Sequence, residues 1–307
     1  MKPTLCLRME KWGVETMIQY GKFSINCTSK DKEERNIYLM FRRKMKKYLL
    51  NGEMELYRIP VIGEDYDFAH NMALKYGQQT EEELLSYDLP EFFISESEIL
   101  ETDYSKKDFD IAAAYLVNFW YFAYTYGDRC TDDYIGNCCE NPQWEDDEPC
   151  MIQNKIYQIP SSEFSKKKYA QLMLGYAVSK EVRELLIENQ LAAEEDFQVV
   201  TNKKGNTVCY QLKPKNIVTG FAKDNQMKLL DRCKHCGKEC YESKGEPYFI
   251  SQNTLQQLKG LNQTKEMTGG ILEPWYIVNK ETYKLLHKQY PRMQFIPIFQ
   301  LEELERE

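Results

Sequence analysis

Several chemical resources on which enzymes depend are scarce in this chain of 307 residues. Only 3 histidines occur, at His70, His235 and His287. The sequence lacks the HExxH, GxSxG, P-loop and GxGxxG motifs, which supply metal ligands, nucleophiles and phosphate-binding loops. These absences argue against the common hydrolases and nucleotide-dependent enzymes, and they favour a binding protein.

Positive charge is also in short supply, since 48 acidic residues against 40 lysines and arginines give a formal net charge of -8. This balance disfavours attraction to nucleic acid or to an anionic membrane and favours a basic partner. Two basic runs depart from it, namely Arg42, Arg43, Lys44, Lys46 and Lys47, and then Lys166, Lys167 and Lys168. A charged run on a helix is usually a solvated face, but these runs keep nucleic-acid binding open as an alternative.

A long hydrophobic run is lacking as well. The most apolar stretch, IAAAYLVNFWYFAYTY from Ile111 to Tyr126, is shorter than the roughly 20 residues that a bilayer span requires, and it contains Asn118. We predict that it forms a buried helix. The opening MKPTLCLRMEKWG becomes charged before an apolar core develops, unlike a signal peptide. We therefore expect a cytoplasmic protein whose 10 cysteines stay reduced.

What the sequence does contain is an internal repeat. YAVSKEVRELL begins at Tyr176, and YIVNKETYKLL begins 100 residues later at Tyr276. In each copy a short strand is predicted to end at a helix N-cap, Ser179 or Asn279, with a glutamate in the first helical turn and a pair of leucines facing inward. An apolar, β-prone stretch follows both times, FQVV and FIPIF. The pattern predicts two strand-helix-strand units related by duplication, with chance similarity as the alternative.

The N-terminal region has a different pattern. RMEKWGVETMIQYG, from Arg8, has the apolar spacing of a helix that stops at a glycine. IYLMFRRKMKKYLL predicts a basic amphipathic helix, MELYRIPVI predicts a strand, and residues 79–88 predict an acidic helix. The fold class is therefore predicted to be α+β, with a mixed N-terminal region followed by two related repeats. The expected domains are 1–127, then 128–220 with an acidic cysteine-rich loop, and 221–307 with a CxxCG knuckle.

The cysteines are clustered in a way that is typical of a metal site. Cys233 and Cys236, in CKHCG, have the spacing that lets two thiolates face one metal, and the following glycine allows the backbone to turn beneath them. A redox pair and a purely structural turn are the competing interpretations. A structural zinc needs two further ligands. These are drawn either from Cys209 and Cys240 or from an earlier cluster, Cys138 or Cys139 with Cys150. Spacing alone leaves both sets open.

The second repeat supports a family resemblance. Its CxxCG knuckle is followed by an apolar segment, by YIVNKETYKLL and by MQFIPIF, and the unit occurs twice. This arrangement resembles the double-CXXCG immunity proteins of bacterial polymorphic toxin systems. The resemblance covers about residues 130–307, and the first copy has CC in place of CxxCG. It implies a cytoplasmic, non-enzymatic protein that binds one toxin domain and blocks it.

An acidic segment offers a candidate partner surface. TDDYIGNCCENPQWEDDEPC, from Thr131 to Cys150, has 7 acidic residues and no basic one. Inhibitors of nucleases often present acidic and aromatic groups to a basic cleft. The predicted partner-binding residues are Asp132, Asp133, Tyr134, Trp144, Glu145, Asp146, Asp147 and Glu148. An ordinary solvated acidic loop is the alternative.

Together these patterns predict a cytoplasmic binding protein with one structural zinc, and the resemblance implies that it is an immunity protein whose partner is a cognate toxin. Two other functions stay open. One is a zinc-knuckle protein associated with nucleic acid, which the basic runs suggest. The other is an ADP-ribosyltransferase-like enzyme, which LCLRMEKWGVETMIQYGKF suggests, with Arg8 in a strand.

Overall fold

A computed structural model describes residues 18–51, 55–61, 63–77, 91–96, 101–119, 121, 123, 135–137, 151–153, 158–172, 175–232, 237, 239–243, 245–268 and 273–301. The chain divides into two compact units, Met1–Asp110 with Lys244–Glu246 and Ile111–Ser243 with Pro247–Glu307. The division falls upstream of the boundary predicted near Gly127. Helices and strands are both abundant, so the predicted α+β class is confirmed. Within the described ranges, no helix has the length and apolar character needed to cross a bilayer.

The first unit is a five-stranded antiparallel sheet with two packed helices. Its elements are β1 (Ile18–Cys27), α1 (Lys32–Met45), a 3₁₀ turn (Lys46–Tyr48), β2 (Leu49–Asn51), β3 (Glu55–Pro60), α2 (Glu64–Tyr76), β4 (Phe92–Glu96) and β5 (Glu101–Asp103). The strand order is β2-β3-β1-β4, and β5 also pairs with β1. Asp31 caps α1 by accepting hydrogen bonds from the Glu33 and Glu34 amides. Apolar side chains of both helices and of β1, β3 and β4 form one core.

The predictions for this unit are partly confirmed. The basic amphipathic helix is α1, and the predicted strand is β3. The predicted stop at Gly21 is wrong, because Gly21 lies inside β1. A Cβ at this position would lie 2.6 Å from Cε2 of Tyr66, so packing, not helix termination, requires the glycine. The acidic helix at 79–88 lies outside the described residues, as does the part of the predicted first helix before Ile18.

The second unit contains two sheets and a separate hairpin, and α3 (Lys106–Ile111) leads into it. Its strands are β6 (Ala114–Val117), β7 (Ile135–Asn137), β8 (Met151–Gln153), β9 (Tyr169–Gln171), β10 (Tyr176–Val178), β11 (Phe197–Thr201), β12 (Thr207–Leu212), β13 (Ile217–Val218), β14 (Lys228–Arg232), β15 (Glu239–Glu242), β16 (Tyr248–Ile250), β17 (Leu261–Thr268), β18 (Pro274–Asn279) and β19 (Phe295–Gln300). Its helices are α4 (Lys180–Glu188), α5 (Phe221–Asp224), α6 (Gln252–Leu255) and α7 (Lys280–Gln289), with 3₁₀ turns at Ser161–Phe164 and Glu194–Asp196.

The larger sheet of this unit is mixed, and the smaller one is antiparallel. The larger sheet has the order β14-β15-β17-β18-β6-β19-β16, and β13 also pairs with β17. Within it, the β13–β17, β15–β17 and β16–β19 pairs are parallel. The smaller sheet has the order β11-β12-β10-β9, and β7 pairs with β8 alone.

The prediction that the apolar stretch from Ile111 forms one buried helix is wrong. Helix α3 ends at Ile111, and β6 then lies in the sheet between β18 and β19. All four residues of β6 are buried. A strand that is buried on both faces has no alternating pattern, so a short apolar run does not distinguish it from a buried helix.

The local form of the two repeats is confirmed. The Ser179 hydroxyl accepts a hydrogen bond from the Val182 amide at 3.4 Å, and Asn279 Oδ1 accepts one from the Thr282 amide at 2.9 Å. The second leucine of each predicted pair is buried, while the first is half-buried. In both units the strand before the helix and the strand after it run parallel, with one antiparallel strand between them. That middle strand is β12 in the first unit and β6 in the second. Duplication itself stays a prediction.

Candidate functional site

The CxxCG knuckle connects the two strands of a hairpin. Strand β14 ends at Arg232 and β15 begins at Glu239, and these two residues pair across the antiparallel ladder. Their side chains form an ion pair, and the Tyr241 hydroxyl donates to Glu239 Oε2 at 2.7 Å. Gly237 has a φ of 69°, a left-handed conformation that glycine adopts without strain. The hairpin is therefore tied together at the point where the cysteine loop begins.

The two described cysteines of the first candidate set lie in different sheets. Cys240 is on β15, where its thiol donates to the Thr268 carbonyl at 3.1 Å. Cys209 is on β12, within an apolar cluster that includes Ala177 and Val200. Burial raises the pKa of the Cys209 thiol. Because zinc binds the thiolate, this environment opposes a role for Cys209 as a ligand.

The other predicted ligands, Cys138, Cys139, Cys150, Cys233 and Cys236, lie outside the described residues. Across the part of the chain that is described, no group of three or more histidine, cysteine, aspartate or glutamate side chains is arranged to hold a metal ion.

The strands beside the earlier cysteine cluster form a second hairpin. Strands β7 and β8 are antiparallel, and their last pair before the loop is Asn137 with Met151. In the sequence, Cys138 directly follows Asn137, and Cys150 directly precedes Met151. Each cysteine cluster is thus attached to a hairpin.

The predicted partner surface cannot be placed on the structure. Asp132, Asp133 and Tyr134 precede β7, whereas Trp144, Glu145, Asp146, Asp147 and Glu148 lie between β7 and β8 in the sequence. All eight residues lie outside the described ranges.

Contacts within the protein offset much of the charge in the two basic runs. Arg42 Nε lies 3.0 Å from Glu55 Oε1, and Lys47 Nζ lies 2.9 Å from Asp65 Oδ2. In the second run, Lys168 Nζ lies 2.7 Å from Glu181 Oε1. Lys44 and Lys167 lie over the rings of Phe68 and Tyr121. These contacts favour a solvated structural role for the basic runs over phosphate binding.

One histidine belongs to a polar cluster in the first unit. The His70 Nδ1 atom lies 2.5 Å from Glu96 Oε2, and the Tyr66 hydroxyl donates to Glu96 Oε1 at 2.6 Å. The Tyr66 and His70 rings are stacked, with their centroids 5.8 Å apart. These contacts join α2 to β4, and they favour a structural role for His70. The exposed His287 stacks on Tyr283 of its own helix.

A buried polar junction that sequence reasoning missed lies between the two repeats. The equivalent tyrosines Tyr176 and Tyr276 are in edge-to-face contact, with ring centroids 5.5 Å apart. A Cβ on Gly175 would lie 3.0 Å from the Tyr276 hydroxyl and 3.6 Å from Glu273 Oε1. Glu273 Oε1 is shielded from solvent and accepts no hydrogen bond from the described residues.

Burial shifts the ionisation of this junction. It raises the pKa of Glu273 to about 7, although the Gly175 backbone and the Lys213 charge act in the opposite direction. Burial also lowers the pKa of Lys213, and the charge of Glu273 partly offsets that effect. The pKa of Tyr176 is raised, chiefly by burial and then by the charge of Glu273. Lys213 and Glu273 are far apart in the sequence, so no spacing pattern signals that their charges interact.

Comparison of the chain with models of known families, with curated proteins and with solved structures finds no match. The resemblance to double-CXXCG immunity proteins therefore stays a prediction.

Proposed function

We propose that this chain is a non-enzymatic cytoplasmic binding protein that neutralises a cognate bacterial toxin by direct contact. The observation that carries the proposal is the position of the knuckle. Cys233 and Cys236 connect the strands of a tied hairpin, and the same unit ends in one of two matching strand-helix-strand elements. This combination of knuckle and repeat is the one that resembles the double-CXXCG immunity proteins. The internally compensated basic runs weaken the nucleic-acid alternative.

The proposed zinc site is structural and is held by the two hairpins. Its ligands are Cys233 and Cys236 together with Cys150 and either Cys138 or Cys139. We favour this set because Cys209 lies in an apolar core and Cys240 already donates to a carbonyl of the neighbouring strand. Thiolate ligands from separate hairpins would crosslink two segments that lie far apart in the sequence.

Metal analysis of the purified protein tests this site. We expect close to one equivalent of zinc, with loss of the metal in Cys233→Ser and in Cys150→Ser. The matched control variants are Cys209→Ala and Cys27→Ser, which should retain zinc. Less than about half an equivalent in the unmodified protein would contradict the site, because structural zinc is normally bound tightly. Retention of zinc by Cys150→Ser together with its loss in Cys209→Ala would support the other ligand set.

The proposed contact surface is the acidic segment that contains Asp146, Asp147 and Glu148. Its carboxylates complement a basic toxin cleft, and Trp144 supplies an aromatic anchor. The test first looks for a toxin gene beside this one and then uses the toxin domain that it encodes. We expect a stoichiometric complex in which the activity of the toxin is blocked.

Variants that remove negative charge from the acidic segment refine that test. Changing Asp146, Asp147 and Glu148 to their amides should weaken binding at least about 10-fold, mainly through slower association at low salt. The control variant changes two exposed glutamates elsewhere, Glu188→Gln with Glu195→Gln, and should bind normally. If the neighbouring toxin is neither bound nor inhibited, the proposed immunity function is wrong. Equal binding by both variants would reject the acidic surface alone.

A further inference from the structure

The junction between the two strand-helix units brings equivalent positions of the repeat together. Strand β10 begins at Tyr176 and β18 contains Tyr276, and these two rings contact each other. Glu273 lies directly before β18, and the Thr268 backbone N–H donates to the Glu273 carbonyl at 2.8 Å. Gln211, at the end of β12, is buried beside the same place. The Glu273 carboxyl group therefore lies beside Gly175, where residues of both repeats come together.

Several features show that this junction is closely packed. Gly175 has a φ of 88°, and a Cβ there would be 3.0 Å from the Tyr276 hydroxyl and 3.3 Å from Gln211 Nε2. Phe119 is buried and contacts the Tyr176 and Phe295 rings, which belong to the two different repeats. Glu273 as a whole is half-buried at this junction, and its Oε1 atom is shielded from solvent.

The charge environment of Glu273 is sparse. The Gly175 backbone donates a hydrogen bond to the carboxyl group, and the Lys213 ammonium, directly after β12, acts on its charge. The Tyr176 ring on β10 and the Tyr276 hydroxyl on β18 lie at the same junction. Lys213 has Lys215 near it, and Tyr176 has Tyr248 near it. No described donor satisfies Glu273 Oε1. The Gly175 amide and the Lys213 charge favour the ionised carboxylate, but desolvation of the shielded Oε1 atom disfavours it more strongly.

We propose that Glu273 acts as a proton-controlled latch between the two repeats. As a neutral carboxylic acid it closes the junction of β10 and β18, and its ionisation loosens that junction. The latch would make the packing of the two repeats sensitive to pH near neutrality.

The direction of the effect follows from proton linkage. The pKa of Glu273 is raised from its ordinary 4.5 to about 7, so the folded protein holds this proton at pH values where the unfolded chain has lost it. The contribution of Glu273 to stability is therefore fully present below about pH 4.5 and is lost as the pH rises through about 7. The pKa of Lys213 is lowered from 10.5 and that of Tyr176 is raised from 10.0. Glu273 is thus the member of the junction that titrates between pH 5 and pH 8.

The experiment is hydrogen exchange on the full-length protein at several pH values, with rates corrected for the intrinsic pH dependence of exchange. Peptides that cover 175–178 and 274–279 report on the junction, and peptides from β1 and β3 serve as the internal control. Between pH 5 and pH 8 the opening constant of the junction should rise on the order of 100-fold, while that of β1 and β3 stays constant. Equal changes in both sets of peptides, or no change in either, would overturn the proposal.

Variants separate Glu273 from other titrating groups. Glu273→Gln stays neutral, so its junction should exchange at the same corrected rate at pH 5 and pH 8. Lys213→Met removes the cation that favours the carboxylate, and its rise in exchange should be larger than in the unmodified protein. Glu281→Gln, at an exposed position in the first turn of α7, is the control and should behave like the unmodified protein. If Glu273→Gln keeps the full pH dependence, Glu273 is not the latch. If that variant fails to fold, the exchange pattern of the unmodified protein and the Lys213→Met shift decide the outcome.

Discussion

At the scale of single residues, Glu181 and Glu281 occupy equivalent positions of the two repeats but have different neighbours. Glu181 and Glu281 both occupy the first turn of a helix, where the helix dipole favours a carboxylate. Glu181 also pairs with Lys168, with Nζ and Oε1 2.7 Å apart. No ion pair to Glu281 is found in the described ranges. Hydrogen bonds from Lys168 first and Ser179 second lower the pKa of Glu181 to about 2.

This difference gives a pH-dependent prediction. Because the folded pKa of Glu181 is below its ordinary 4.5, its stabilisation is present above about pH 4.5 and is lost as the pH falls toward 2. The side chain is exposed, so Glu181→Gln should cost no more than about 1 kcal/mol at pH 7. Glu281→Gln should cost about 0.3 kcal/mol, from the dipole alone. Urea unfolding at pH 7 and pH 2 measures both variants. A Glu181→Gln effect of the same size at both pH values would contradict the ion pair.

At the scale of elements, the N-caps are where local sequence had the strongest influence. Ser179 and Asn279 have extended backbone conformations and accept the hydrogen bonds expected of helix caps. Local chemistry suffices there, because a cap needs only a short polar side chain and the amide three residues later. The apolar run from Ile111 shows the opposite case. Its strand β6 gains every ladder partner from segments more than a hundred residues away in the sequence.

The caps can be tested by exchanging them. Ser179→Ala and Asn279→Ala should each lower the free energy of unfolding by about 1 kcal/mol, because one helix amide loses its acceptor. Ser179→Asn and Asn279→Ser carry each cap into the other unit and should be close to neutral. Guanidinium unfolding, monitored by circular dichroism, compares the four variants. Exchange variants as destabilised as the alanine variants would show that these side chains do more than cap a helix.

At the scale of the whole molecule, β6 makes the second unit depend on a segment that precedes the first repeat. The first repeat obtains its middle strand from the hairpin that follows β11, while the second obtains it from β6. A fragment that begins after β6 would leave β18 and β19 with unpaired edges and an open apolar core. We therefore expect that a fragment folds this unit only if it includes β6.

Two fragments test this dependence. Residues 104–307 should unfold cooperatively, whereas residues 120–307 should lack a cooperative transition and bind a hydrophobic dye, since β6 would be missing from its sheet. Adding a peptide that spans 110–119 to the shorter fragment should restore part of the transition. The dependence on β6 would be refuted if both fragments unfolded at the same denaturant concentration.

The sequence by itself determined what depends on neighbouring residues. The α+β class, helix α1, the caps at Ser179 and Asn279 and the turn at Gly237 follow from local periodicity and conformational preference. The knuckle was visible for the same reason, since its spacing is local. Tertiary structure alone decided that β6 is a strand, that Gly21 lies inside β1, that Cys209 is in an apolar core, and that the charges of Lys213 and Glu273 interact. Each of these depends on burial and pairing between segments that are distant in the sequence. Such contacts produce no periodic pattern of residues from which they could be predicted.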